Sequence, residues 1–403
     1  MSKQQKDYFY DLTWIFMVLG SAIGAGVLFL PIKLGENGII SVFIVWIIMV
    51  FVNTRTHFLL SLLCIDEKAQ INDKSWFLRL FKNPISYVLM CIYVLPIFFT
   101  MIFLSLSLIN AIEFLLHNRF NMLLDRNIIV VFTVLILVFL SILKLSFIKS
   151  INNILVIILC SSLVLFSLYL FVYVLYDWNT NEMLATTNIN DTSKTILESL
   201  PIAIHSFSYL PLVFIFVKDL KNRYMDYEII KIKIKKITLI SNLILISIIM
   251  FFALVCILAV DYNDLNEIKK ANISIVSYLA EKHNNFLISW IVPIVTSIAI
   301  VTSFFSYYIG SVLGVFELLK LNEESKNAKI IVNVIFIISL ICFAIYNPSI
   351  LAFIGKISGP LIAFVSIILP LYVIYKKQEF FKYRFLIFDL LLLVSFLLII
   401  YTY

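Results

Sequence analysis

Apolar runs of about 20 residues, the length that crosses a bilayer as a helix, follow one another along nearly the whole chain. They predict eleven spanning helices, at roughly 13–33, 38–64, 84–116, 127–145, 151–177, 195–217, 237–260, 285–317, 329–346, 349–375 and 383–402. The third and eighth are long enough to tilt. Residues 72–82, with Trp76, Phe77, Leu80 and Phe81 turned to lipid, are expected to form a short interfacial helix. Polar stretches between the runs are only about 15–25 residues long, so no separate soluble domain is expected. The whole of 1–403 forms one all-α, polytopic membrane domain. No cleavable signal is expected, because more membrane follows the first apolar segment.

Two segments break the pattern. Segment one carries Gly20-Ser21-Ala22-Ile23-Gly24-Ala25-Gly26, and three of the nine glycines in the chain fall there. Each costs about 1 kcal/mol in a helix interior relative to alanine. Unwound backbone at bilayer depth survives only inside protein or beside a cavity. Close packing of helices through small residues is the competing explanation. Segment six carries Pro201 and Pro211 on either side of the polar patch His205-Ser206-Phe207-Ser208-Tyr209. Pro211 lacks a donor and clashes with the carbonyl four residues back, so the ladder opens near Phe207. Alone, segment six would read as a kinked packing helix. Paired with segment one, it points to a transporter's binding site. The two breaks are five segments apart, at equivalent positions. An odd number per repeat makes the halves inverted: repeat one at about 13–177, repeat two at about 195–375, and one extra helix at 383–402.

Composition agrees: 62% of residues are hydrophobic, against about 45–50% in soluble proteins. The net charge of +7 would suit nucleic acid or acidic lipid. Its distribution is instead topological. With the amino end in the cytoplasm, 22 Lys and Arg fall in inner loops and six in outer ones, which puts the carboxyl end outside. No nucleic acid partner is expected. Cys64, Cys91, Cys160, Cys256 and Cys342 sit in or beside apolar segments, none in CxxC spacing, so neither disulfides nor a metal is expected.

The glycine stretch continuing through Val27-Leu28-Phe29-Leu30-Pro31-Ile32, with Asn272-Ile273-Ser274-Ile275-Val276-Ser277-Tyr278-Leu279-Ala280, Asn347-Pro348-Ser349-Ile350-Leu351 and Gly359-Pro360-Leu361-Ile362-Ala363 in that order, resembles the hydroxy/aromatic amino acid permease family, in particular its bacterial serine and threonine transporters. The resemblance covers nearly the full length. It implies a LeuT-like fold of two inverted five-helix repeats plus an eleventh helix, and uptake of a small neutral amino acid across a bacterial inner membrane with a proton or sodium. It implies no cofactor. The partners are an amino acid and membrane lipid, and the protein is expected as a monomer or weak oligomer. The chain departs from the family's serine transporters at Ser208-Tyr209-Leu210-Pro211, where they have Asn-His-Ser-Pro. It departs again at Thr302, where they tend to have lysine.

An amino acid zwitterion needs donors for its carboxylate, and the freed N–H groups of Ile23, Gly24, Ala25 and Gly26 would supply them with a favourable helix dipole. Its ammonium needs acceptors, available as freed carbonyls near Ala22, Ser206 and Phe207. A side-chain hydroxyl would pair with Ser21, Ser206, Ser208 or Tyr209, with Phe207 and Tyr209 capping that end. An aromatic substrate, tryptophan or tyrosine, is the alternative, because Tyr209 replaces a polar residue.

In segment eight Ala299, Thr302 and Ser303 share a helix face. The Ala299 carbonyl, both hydroxyls and the carbonyls of Gly20 and Ile23 would offer five oxygens, which suit a hard cation such as sodium. The competing account is that Thr302 and Ser303 bond back to their own helix. His205 and Lys356 are candidates for proton linkage, and Glu36 or Asp261 could partner Lys356; an amine that simply reaches an aqueous vestibule is the competing and favoured account of Lys356. Arg55 is expected to snorkel. A membrane enzyme would need a clustered catalytic set, and the four histidines are scattered (His57, His117, His205, His283). A channel would want rings of like residues, and a receptor a soluble domain; the sequence suggests neither.

Overall fold

The computed structural model describes residues 3–37, 39–65, 81, 84–143, 145–176, 189–282, 286–322 and 325–402. Every regular element among them is helical. Segment one is α1 (Lys3–Ala22) and α2 (Ala25–Leu34), bent by 58° at a two-residue break. Segments two to five are α3 (Ile40–Cys64), α4 (Ile85–Phe120), α5 (Arg126–Ser141) and α6 (Leu145–Tyr176). Segment six is α7 (Ile189–Ser206) and α8 (Leu210–Arg223), and segment seven is α9 (Tyr227–Leu258). Two short helices follow, α10 (Tyr262–Ala271) and α11 (Ile275–Lys282), which the sequence reading does not anticipate. Asn272 turns the chain between them at φ 54°, a left-handed conformation that asparagine tolerates. Segments eight and nine are α12 (Phe286–Leu318) and α13 (Lys326–Tyr346).

Segment ten alternates between helix types: α14 (Ile350–Phe353), a π stretch (Ile354–Ser358), α15 (Gly359–Ala363), a second π stretch (Phe364–Ile368) and α16 (Leu369–Lys376). Each wide turn comes just before a proline, Pro360 or Pro370. Proline's ring crowds the carbonyl four residues back, at Lys356 or Ser366, and a wide turn relieves that clash without ending the helix. Segment eleven is α17 (Leu386–Thr402).

Among the described residues, eight helical spans are long and apolar enough to cross a membrane, and the bent α1–α2 pair makes a ninth. The other two apolar helices, Arg126–Ser141 and Leu386–Tyr401, are shorter. The chain is a multi-pass helical membrane protein. The expected interfacial helix at 72–82 lies outside the described residues except for Phe81, whose ring stacks on Tyr372.

Burial ranks the segments from centre to rim. Segment six is 89% buried in its most apolar window, whereas Ser150–Tyr176 and Lys326–Tyr346 are 28% and 22% buried. A helix apolar all round yet exposed on most faces, like α6 or α13, belongs against lipid. Segment six is therefore the axis. Glycines let the backbones close around it: a Cβ on Gly310 of α12 would lie 2.5 Å from Pro211, and one on Gly359 would lie 2.5 Å from the Pro201 carbonyl.

Arg55 does not snorkel. Its guanidinium donates to the Asp389 carboxylate at 2.9 Å and to the Tyr383 carbonyl at 2.6 Å. Asp389 is 2% exposed and also accepts from the Tyr375 hydroxyl. A charge inside an apolar helix needs a partner, and this pair ties α17 to α3 and α16.

Candidate substrate and cation site

The two breaks meet. A Cβ on Gly26, in the first turn of α2, would lie 2.8 Å from Ser206 Oγ and 2.9 Å from His205 Nδ1 at the end of α7. A Cβ on Gly24 would lie 2.6 Å from Ser303 Oγ of α12. The glycines therefore serve both purposes raised by the sequence, unwinding and close approach. Gly24 caps α2 with no side-chain hydrogen bond, so the N–H groups of Ala25 and Gly26 have no partner within their own helix; the Ile23 N–H, expected to be free, instead closes the last turn of α1 on the Leu19 carbonyl at 2.9 Å.

Two buried polar atoms beside the breaks have no hydrogen-bond partner, Ser21 Oγ and His205 Nδ1. The network around His205 assigns its tautomer. Thr100 Oγ1 donates to the Pro96 carbonyl at 2.7 Å, so it accepts from His205 Nε2–H at 3.1 Å. Nδ1 is then a bare acceptor. Ser358, in the first π stretch, approaches the Thr100 hydroxyl at 3.3 Å.

The break in segment six is held by side chains. The Phe207 carbonyl accepts from Asn53 Nδ2 at 3.1 Å. The Ser208 carbonyl accepts from the Tyr307 hydroxyl at 3.1 Å, and the Leu210 carbonyl from the Tyr93 hydroxyl at 3.3 Å. The Tyr209 N–H donates to His57 Nε2 at 3.2 Å, and the two rings stack with centroids 3.8 Å apart. Ser208 Oγ accepts from the Leu210 N–H, and Ser206 Oγ donates back to the Ile202 carbonyl at 2.7 Å.

Of the five expected cation ligands, three converge. The Ser303 hydroxyl sits 2.9 Å from the Ile23 carbonyl and 3.0 Å from the Gly20 carbonyl, sharing one proton between two acceptors. Thr302 bonds back to its own helix, to the Ile298 and Ala299 carbonyls at 2.9 and 3.0 Å. Ala22 is buried at the end of α1 and Ala25 opens α2. Lys356 stands apart, exposed on the first π stretch. Its suggested partners are engaged elsewhere: Glu36 pairs with Lys33 and Lys269, and Asp261 with Lys282.

Both ends of segment one are fastened by charge. At its amino end Asp11, 4% exposed, pairs with Lys233 and Lys236 of α9. Tyr10 and Trp14 donate to Asp219 of α8, and Asp7 pairs with Arg223. At the other end Lys33 bridges Glu36 and Glu198, and Lys269 of α10 also reaches Glu36. Beside that cluster Lys282 bonds to Asp264 at 2.8 Å. Burial raises the Asp264 pKa, but the Lys282 ammonium and a hydrogen bond from Tyr278 together outweigh it and leave the carboxyl below its usual range.

Of these groups, Asn53, His57, Tyr93, Thr100, Tyr307, Asp219 and Asp389 were not picked out by sequence as site or gate residues. The signal that could have found Asn53 and His57 is their spacing: two polar residues one turn apart on one face of an apolar helix.

A bundle with two discontinuous helices whose ends converge at its centre has the build of a membrane transporter. Residues 12–402 match the tryptophan/tyrosine permease family, and the chain belongs to that family. The serine transporter SdaC of Escherichia coli (strain K12) is 28% identical over 390 residues, covering 93% of this chain and 89% of that one. The threonine/serine transporter TdcC of Escherichia fergusonii is 26% identical over 403 residues, covering 93% and 90%. Among solved structures, the Eremococcus coleocola manganese transporter in complex with an aromatic bis-isothiourea compound has a TM-score of 0.60 at 13% identity. It covers 100% of this chain and 87% of that one. A point mutant of the same transporter gives a TM-score of 0.62 at 13% identity, covering 98% and 85%. At such identity the likeness concerns the fold. The family and these relatives are permeases and transporters, which sets the membrane enzyme aside.

Proposed function

We propose that this protein is a secondary active transporter that imports a small neutral amino acid, serine or threonine, by cation symport with alternating access. The observation that carries this is the junction of the two breaks. There, unpaired N–H groups of α2 and the bare His205 Nδ1 meet among glycine and serine, and the last turn of α1 carries the unpartnered Ser21 hydroxyl. A carboxylate at the N–H groups and small hydrogen-bonding groups beside them match that inventory. The serine and threonine/serine transporters among the relatives support the substrate class.

Segments one to five and six to ten form the two inverted repeats, with segment eleven outside them; the breaks in segments one and six support that pairing. Arg126–Ser141 and Leu386–Tyr401 complete eleven spans, and the distribution of Lys and Arg places the amino end inside and the carboxyl end outside. The cation is sodium, held by the Gly20 and Ile23 carbonyls and Ser303. Those two carbonyls share a single hydroxyl proton and have acceptor capacity to spare. The test is uptake of radiolabelled serine into liposomes holding the purified protein, with sodium and proton gradients imposed separately. Accumulation driven by sodium is the expected result. Accumulation driven by protons alone removes sodium from the account. Uptake of tryptophan or tyrosine and not serine transfers the site to aromatic substrates, and no uptake of any of them overturns the proposal.

A further inference from the structure

The segment-six break leaves a carbonyl, Phe207, and an N–H, Tyr209, outside the helical ladder. One turn of α3 meets both. Asn53 and His57 are four residues apart and share a helix face. Asn53 gives one amide hydrogen to the Phe207 carbonyl at 3.1 Å and the other to Asn242 Oδ1 at 2.9 Å. His57 accepts the Tyr209 N–H on Nε2 at 3.2 Å, which leaves its own proton on Nδ1, 3.0 Å from the Asn53 carbonyl. Asn242 of α9 reaches the Tyr209 hydroxyl at 3.4 Å. Asn53, His57, Asn242, Phe207 and Tyr209 are all 2% exposed or less. All five are shut off from bulk water, so these side chains hold the shape of the break.

We propose that Asn53 and His57 are positioning residues of the substrate site, fixing two of the backbone groups that the break in segment six exposes. Both ring nitrogens of His57 and both amide hydrogens of Asn53 are engaged within the protein, and both side chains act through backbone one to three residues from Ser206. By the same bonds α3, the break and α9 move as one body. This inference rests on the proposed function, since it assigns the pair a part in holding that site.

The imidazole acts through Nε2, and this makes the test specific. His57→Phe keeps the ring stack and removes the acceptor. His57→Gln places an amide oxygen near the position of Nε2, whereas His57→Asn reaches only the position of Nδ1. Equilibrium binding of radiolabelled serine to purified protein, uptake in liposomes and thermal unfolding are measured side by side. The expected result is a Kd and KM for serine raised about tenfold or more in His57→Phe with the protein still folded, restored to within about threefold by Gln and not by Asn. A Kd unchanged while the unfolding temperature falls would show a purely structural role and overturn the proposal. Equal rescue by Asn overturns it too. If His57→Phe does not fold, Asn53→Ser decides, its hydroxyl being too short to reach Phe207: a raised Kd supports the role and an unchanged one rejects it. Wild-type protein that binds neither serine nor threonine refutes the proposed function itself, a different result from serine binding that His57 does not influence.

Discussion

The break in segment one is made by removing side chains, and the break in segment six by adding them. At Gly24 and Gly26 nothing projects from the backbone, the chain bends by 58°, and no side chain caps the restarting helix. At Phe207–Tyr209 the freed groups are met by Asn53, His57 and Tyr307, drawn from α3 and α12. A backbone group buried without a partner costs about 1–3 kcal/mol. The first break leaves N–H groups unpaired, which in the proposed carrier would receive the substrate, and the second has its own groups satisfied in advance. Unwinding alone therefore does not mark where a ligand binds; what matters is which freed groups the protein has left unpaired.

Substitutions can break this contrast, and the largest effect is expected at the open side. Gly26→Val puts carbon within 3.0 Å of the Ser206 Cα, backbone that cannot yield. Serine uptake should fall about 100-fold, as overpacking of ~1–3 kcal/mol forces the two breaks apart. Wild-type uptake in this variant would mean that the breaks need not touch.

Away from both breaks, Arg55→Leu leaves Asp389 buried and uncompensated. It should lower stability by about 3–5 kcal/mol in thermal or denaturant unfolding and leave the KM of the surviving folded protein unchanged. A shifted KM would show that segment eleven acts on the site.

Within the cation ligands the structure separates neighbours. Ser303→Ala should raise the sodium concentration for half-maximal serine uptake about tenfold. Thr302→Val should change it less than about twofold, since that hydroxyl serves its own helix. Equal effects would restore Thr302 as a ligand.

The smallest effect belongs to the rim. The Asp264 pKa is depressed in the folded protein, so its stabilising contribution is present above the unfolded value of about 3.9 and is lost as pH falls through the lower folded value. Unfolding curves between about pH 6 and pH 3 should show an acid-labile contribution below about 1 kcal/mol, as expected for a part-exposed pair, and Asp264→Asn should abolish it.

The breaks were legible because glycine and proline act on their own stretch of chain. Gly24, Gly26 and Pro211 announce an interrupted ladder without reference to any neighbour. The side chains that hold the break in segment six were not legible, because they lie on segments two, three, seven and eight, and only folding places His57 against Tyr209. Arg55 misled for the same reason: its partner Asp389 is 334 residues away, and a lone basic residue near a helix end looks like one reaching for water. The partners suggested for Lys356 failed for a related reason: depth in the sequence of a segment says nothing about which face a side chain takes, and Glu36 and Asp261 pair elsewhere. The π stretches of segment ten were implicit in Pro360 and Pro370, but a proline alone does not distinguish a kink from a widened turn.

Segment one is fastened at both ends in the same arrangement, Asp11 to Lys233 at one and Lys33 to Glu198 at the other. In a carrier working as proposed, this has a consequence for leakage. A cation slips down its gradient unaccompanied only if both passages stand open together, and that requires both sets of ion pairs to be broken at once. Either set alone can part while the other holds. Charge at the two rims would thus keep the driving gradient from being dissipated between turnovers, and a variant lacking either cluster should reveal itself as a leak before it reveals itself as a loss of uptake.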